Sequence, residues 1–227
     1  MFPRGQGVCY DVPMKIIAGK LRRRLLLTNP GLTTRPMMQR AKVMLFDYIR
    51  MYLPGARVAD LFCGAGTLGF ESLSRGAKSV VFGERDHRAH EYLVKNAQAL
   101  GVTDDVLCWR IDIAKSSLKP KGVKEWYPYD IVFFDPPYVA AKEVQPGGAL
   151  HRCIVRLARP DITAPECRLI VRTPKEEDYP LPAPWHTVQE LVIASMRILI
   201  AQKSLEEVVA EGDDDEIDDD TKSADTV

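Results

Sequence analysis

Four residues, Asp135-Pro136-Pro137-Tyr138, follow directly on the apolar run Ile131-Val132-Phe133-Phe134. A buried strand therefore ends in a carboxylate, two ring-locked residues and an aromatic side chain. Each proline fixes φ and lacks an N–H, so the turn is stiff and its carbonyls remain free to accept. Such a turn suits the gripping of a planar base by its exocyclic amino group, with the Tyr138 ring stacked on the base. The same four residues also serve as an ordinary end to a strand. Their neighbours in the chain decide between the two uses.

A second stretch with chemical potential runs from Asp60 through Leu61-Phe62-Cys63-Gly64-Ala65-Gly66-Thr67-Leu68-Gly69. Gly64, Gly66 and Gly69 match GxGxxG between a strand and a helix, where glycines let a nucleotide-like cofactor approach the backbone. A dinucleotide and a sulfonium cofactor both satisfy that pattern. Asp60 separates them: a carboxylate there repels a nearby phosphate and welcomes an ammonium. S-adenosylmethionine has an ammonium, a sulfonium and no phosphate. Glu84, after the second strand, is placed to accept from both ribose hydroxyls, and Asp112, after the third, from an adenine amino group. Each acid has a plainer use as a helix cap or a solvated loop residue. Asp86 is assigned that plainer use, as the N-cap of the following helix.

The elements that must position these residues alternate. A helical pattern from Pro36 to about residue 52 puts Ala41, Leu45, Tyr48 and Ile49 on one face, with Thr34 near its cap. Residues 58–62, 79–83, 106–111, 131–134 and 167–172 read as strands, and 67–75, 87–100 and 147–159 as helices. Alternation of this kind predicts right-handed crossovers and a mostly parallel sheet. Residues 188–193 and 196–201 stand almost end to end and pair as a hairpin, adding antiparallel character at one edge. Ahead of the main body, 14–18 and 25–28 are short apolar stretches around a basic turn, predicting a small hairpin arm.

The chain has 227 residues and is 46% hydrophobic, enough for one α/β domain with additions. Its five cysteines are scattered, odd in number and without a CxxC pair, which argues against a disulfide framework or a zinc site. Residues 1–13 have no apolar core of a signal peptide, and the run 191–201 is short and broken by Arg197, so no membrane association is expected. The formal net charge of zero hides a division. Residues 205–227 carry eleven acids and one base, leaving 30 basic and 20 acidic residues in 1–204. A body charge of +10 predicts a polyanionic partner, and the bases cluster at Lys15, Lys20, Arg22, Arg23, Arg24, Arg35, Arg40 and Lys42. The acidic stretch lacks aromatic residues and is expected to be a disordered tail.

Taken together these landmarks resemble the class I SAM-dependent methyltransferases, and more narrowly the RsmD-type small-subunit rRNA guanine-N2 methyltransferases. The resemblance covers roughly residues 14–203. It is carried by Lys15-Ile16-Ile17-Ala18-Gly19-Lys20 with the arginines that follow, Thr34-Arg35-Pro36 and Arg40, the glycine loop, Glu71-Ser72-Leu73-Ser74-Arg75-Gly76-Ala77, Glu84-Arg85-Asp86 and Asp135-Pro136-Pro137-Tyr138. The chain departs from the family pattern at Met37, Gln39 and Val43, and at Arg22-Arg23-Arg24, where the family commonly has a glycine.

The resemblance implies an α/β fold, Rossmann-like, with a mostly parallel seven-stranded sheet, a C-terminal antiparallel hairpin and a small N-terminal β arm. It implies an extension at 1–13, a basic arm at 14–35, a catalytic domain at 36–204 and an acidic tail at 205–227. S-adenosyl-L-methionine is the expected cofactor, held by Asp60, Phe62, Gly64, Gly66, Glu84 and Asp112. Asp135, Pro136, Pro137 and Tyr138 are the expected catalytic residues. Lys15, Lys20, Arg22, Arg23, Arg24, Arg35 and Arg40 are expected to follow phosphates of small-subunit rRNA or of an assembling ribosomal subunit, in the cytoplasm, without a metal and as a monomer. The rivals are a Rossmann oxidoreductase binding NAD, which leaves Asp60 and the Asp135 turn unused, a non-catalytic RNA-binding assembly protein, and an enzyme methylating adenine amino groups.

Overall fold

The computed structural model describes residues 14–28, 37–177 and 179–204. Thr34, Arg35 and Pro36, the 1–13 extension and the 205–227 tail lie outside them. Strands β1 (Met14–Lys15) and β2 (Leu25–Leu26) pair antiparallel. Helix α1 (Gln39–Tyr48) follows, then strand β3 (Arg57–Leu61), helix α2 (Thr67–Ser74), strand β4 (Ser79–Glu84), helix α3 (His87–Leu100) and strand β5 (Val106–Arg110). The second half runs through β6 (Tyr129–Phe134), helix α4 (Ala149–Leu157), β7 (Thr163–Pro174), β8 (Trp185–Ile193) and β9 (Met196–Lys203).

The seven-stranded sheet has the order β5-β4-β3-β6-β7-β9-β8. The first five in that order are parallel, and β9 runs antiparallel between β7 and β8. The predicted sheet and hairpin are therefore both present. The chain winds outward from β3 to β5, then returns to lay β6 on the other side of β3. That reversal opens a crevice between the carboxyl ends of β3 and β6, where doubly wound sheets bind their ligands.

Alternation of side chains divides the core in two. Val80, Phe82, Ile131 and Phe133 face one apolar cluster, covered by α1, α2 and α3. Val81, Val132 and Phe134 face the other, with Trp109, Tyr129, Ile154 and Trp185. No helix among the described residues is long and apolar enough to cross a membrane.

Two sequence expectations change. In α1 the buried face is Ala41, Lys42, Leu45 and Phe46, followed by Ile49, whereas Tyr48 is 39% exposed. The buried stripe centres on Lys42, Leu45 and Ile49, and at 100° per residue Tyr48 falls on its flank, where a large side chain reaches solvent. The arm, expected ahead of the main body, is part of it. Ile16 and Leu26 sit in the same cluster as Phe70 and Phe82. Glu71 of α2, fully buried, accepts from Ile17 N at 2.7 Å and Ala18 N at 3.1 Å and pairs with Arg75 Nε at 2.7 Å. Lys20 N donates to the Ser74 carbonyl at 2.7 Å. Gly19 (φ +81°) makes that approach possible, since a Cβ there would stand 1.7 Å from the same carbonyl oxygen.

Candidate active site

The site begins where β3 stops. Phe62 takes a left-handed conformation (φ +63°), rare for a side chain this large, and its N donates to the Gly83 carbonyl at 2.9 Å. Its ring meets Phe134 edge to face at 5.3 Å, joining the ends of β3 and β6. Gly64 and Gly66 also have positive φ, and a Cβ at Gly64 would meet nothing within 4 Å. That is a backbone open to approach by a ligand. Gly69 serves packing instead, because a Cβ there would strike Phe82 at 2.2 Å.

The sequence-predicted acids gather on this loop, though much of their bonding is to the backbone. Asp60, 1% exposed, accepts from Gly69 N at 2.8 Å. Burial pushes its carboxyl up to about 8, and the carboxylates of Asp135 and Glu84 push the same way. A cation arriving beside it would draw that value down again. Glu84 accepts from Gly64 N through one oxygen and from Asp86 N through the other, each at 2.8 Å. A carboxylate has about four lone-pair sites, so both oxygens keep capacity for hydroxyl donors. Asp112 caps a short turn, accepting from Ala114 N at 3.1 Å, and pairs with Arg85 at 3.5 Å. Its plainer use is thus realised, with its side chain one-third exposed. Asp86 caps α3 as expected, accepting from Ala89 N at 2.8 Å.

Across the crevice stands the turn after β6. Leu61 and Phe134 are paired in register, and Asp135 N donates to the Leu61 carbonyl at 3.4 Å. Asp135 and the glycine loop therefore leave adjacent strands at the same level. Pro136 is buried, and Tyr138 opens a 3-10 turn, Tyr138–Val144. Behind the prolines is a small cavity lined by Arg172, Thr173 and Tyr179. Arg172 was not foreseen. It follows Val171, the register partner of Phe134, and its buried guanidinium forms an ion pair with Asp135. Burial holds the Asp135 carboxyl up at about 6, against the downward pull of Arg172.

The basic residues of the arm are on the surface. Lys15, Lys20, Arg22, Arg23, Arg24 and Arg40 are all exposed, and Arg24 also donates to the Ala99 carbonyl of α3. Arg35 falls outside the described residues. Met37, one of the departures, is buried in the apolar cluster beneath the arm.

The strand order, the reversal at β3 and the open glycine loop define a Rossmann-like methyltransferase. Within that class the chain belongs to the RsmD family, whose model, described as conserved hypothetical protein 95, matches residues 14–201. Among its curated relatives, ribosomal RNA small subunit methyltransferase D of Haemophilus influenzae is 33% identical over 180 residues, covering 78% of this chain and 87% of the relative. The protein of the same name from Escherichia coli is 31% identical over 193 residues, covering 84% and 90%. A solved structure from Escherichia coli, yhhF, described as a candidate methyltransferase, superposes with a TM-score of 0.69 at 30% identity, covering 85% of this chain and 98% of that one.

Proposed function

We propose that this chain transfers a methyl group from S-adenosylmethionine to the exocyclic N2 of a guanine in small-subunit rRNA. The observation that carries the reading is the meeting of two loops at the carboxyl end of the sheet. The glycine loop after β3 and the Asp135-Pro136 turn after β6 leave strands paired at Leu61 and Phe134. The names of the relatives, which act on small-subunit rRNA, support the substrate.

The residues present fit the donor. Gly64 offers open backbone, and the loop is ringed by the acids Asp60, Glu84 and Asp135, which suit a cationic cofactor better than a phosphate. When bound, that cofactor supplies an electrophilic methyl on a sulfonium. Asp60 would balance its positive charge, Glu84 accept from its ribose hydroxyls, Asp112 from its adenine amino group, and Phe62, Gly64 and Gly66 shape the floor. Asp135 and the Pro136 carbonyl would accept from the two hydrogens of the guanine amino group. Acceptors placed there favour a tetrahedral nitrogen and stabilise the charge that develops on it. Tyr138 would stack on the base, a contact worth ~1–3 kcal/mol against the few needed to unstack a nucleotide. No strong base is required, because the proton leaves readily once the methyl has joined. Lys15, Lys20, Arg22, Arg23, Arg24, Arg35 and Arg40 would follow the phosphates, in rRNA or an assembling subunit, with strong salt dependence. Such a substrate puts the work of the protein in the cytoplasm.

The test is incubation of purified protein with methyl-labelled S-adenosylmethionine and small-subunit rRNA, followed by digestion to nucleosides and mass spectrometry. Labelled N2-methylguanosine is expected. Label on an adenine amino group would replace the guanine assignment. Donor binding without transfer to naked rRNA or to subunits would favour an assembly role.

A further inference from the structure

Asn96 lies on α3 with 1% exposure, among the buried residues Leu93, Ala97 and Leu100 of the same helix. An amide in that position must find partners, and it finds them on two separate pieces of the protein. Its Oδ1 accepts from Leu27 N at 2.7 Å, and its Nδ2 donates to the Leu27 carbonyl at 3.0 Å and the Ala65 carbonyl at 3.2 Å. Leu27 closes the basic arm, and its side chain is 49% exposed, so backbone bonds rather than burial hold it. Ala65 is the middle residue of Gly64-Ala65-Gly66. The other side-chain tethers described for the loop, Glu84 to Gly64 N and Asp60 to Gly69 N, come from the sheet. Asn96 adds a tether that continues into the arm.

We infer that Asn96 is a positioning residue through which the docked arm holds the glycine loop in its donor-binding shape. The inference rests on the function proposed above. The amide is hard to replace. Aspartate keeps the acceptor for Leu27 N but turns lone pairs toward two carbonyls, and alanine abandons all three partners. The arm is docked independently on α2, through Glu71 and Ser74. A change on that side therefore lifts the arm without touching Asn96 or the loop directly. Gly19→Ala is such a change, since its Cβ would collide with the Ser74 carbonyl.

The experiment compares the full chain, Gly19→Ala, Asn96→Ala and the double variant by calorimetric titration with S-adenosylmethionine. Hydrogen exchange at residues 64–67 is followed in the donor-free proteins. Gly19→Ala and Asn96→Ala should each weaken the donor about tenfold, the size of one lost buried hydrogen bond, with little further loss when combined. Both should speed exchange at 64–67. Donor affinity within about twofold of the parent in Gly19→Ala, or independent multiplying losses in the double variant, would overturn the inference. Should Gly19→Ala lack a cooperative melt, Glu71→Gln, which sets an amide NH2 against an N–H of Ile17 or Ala18 on the α2 side, takes its place with the same two outcomes. A parent chain that binds no donor would overturn the proposed function instead. Exchange at 64–67 would still decide the tether, because it needs no donor.

Discussion

Arg172 within β7 and Asp135 just past the end of β6 are ionic partners, each one residue beyond the paired Val171 and Phe134. The pair is nearly dry: the side chains are 7% and 17% exposed. Two opposed effects act on the Asp135 carboxyl. Burial favours the acid and Arg172 favours the carboxylate, with the balance at about 6.

If Asp135 accepts from the target amino group, it must be ionised. Methyl transfer at saturating donor should then rise with pH through about 6 and level off. Arg172→Gln leaves burial unopposed and should move that rise upward by about one unit or more. Single-turnover rates across the acid-to-alkaline range would measure it. A profile unmoved by Arg172→Gln would separate the guanidinium from the charge of Asp135.

Asp60 should show the reverse relation between stability and function. Its folded carboxyl is raised to about 8, far above the ordinary aspartate value of about 3.9. The protonated acid therefore supports the fold fully below about 4, and that support is lost as pH rises through about 8. Asp60→Asn keeps an acceptor for Gly69 N and never ionises. It should be more stable than the parent at pH 8 by about 5 kcal/mol, with the gap closing toward pH 4. Donor affinity should fall in the same variant. Melting curves at the two pH values, with a donor titration, would test both halves.

Asp135→Ala should abolish transfer while leaving donor binding largely intact. The loop contacts proposed for the donor come from Asp60, Glu84 and Asp112, which stay in place. Calorimetry beside a transfer assay separates the two, and an equal loss of donor affinity would sink this division of labour.

At Tyr138 the ring should matter more than the hydroxyl. Tyr138→Phe is expected to keep most activity, whereas Tyr138→Ala should lose roughly ten- to a hundredfold in kcat/KM, the worth of one stacked base. Comparable losses in the two variants would move the role to the hydroxyl.

Glu71→Gln tests the docking of the arm. It sets an amide NH2 against one of the two N–H groups of Ile17 and Ala18, at a cost of about 1–3 kcal/mol. Proteolysis within residues 18–24 should quicken and affinity for rRNA should fall, while the sheet keeps its cooperative melt. An arm as protected as the parent's would assign its docking to the apolar contacts of Ile16 and Leu26.

The parts of this molecule that were readable in sequence are those written in local signals. Apolar runs marked the strands, three glycines marked the loop, and Asp86 before a periodic segment marked a cap. The hairpin of β8 and β9 followed from two β-rich runs with almost nothing between them. Arg172, Glu71 and Asn96 were not assigned their roles, and the reason is common to all three. Each is a polar residue inside a regular element whose partner lies far along the chain: 37 residues from Arg172 to Asp135, and 69 from Asn96 to Leu27. Sequence gives periodicity within an element but not the register between elements that brings such partners together. The backbone duties of Asp60, Glu84 and Asp112 stood open beside their ligand uses, since an acid that holds a loop and one that holds a ligand have the same local pattern; for Asp112 the capping use is realised.

The placing of β9 between β7 and β8 has a consequence for how the chain is made. The five parallel strands can assemble as they leave the ribosome, each against a neighbour already present. β8 cannot, because its partner in the sheet is the strand synthesised after it. Until residues 196–203 emerge, β7 keeps a bare edge on the side away from β6, and β8 waits unpaired. Arg172, on that bare edge, gains its cross-strand neighbour Ile198 only with the final strand. The strand behind Asp135 is thus completed last, and a nascent chain carries its donor loop before Arg172 is enclosed on both sides in the sheet.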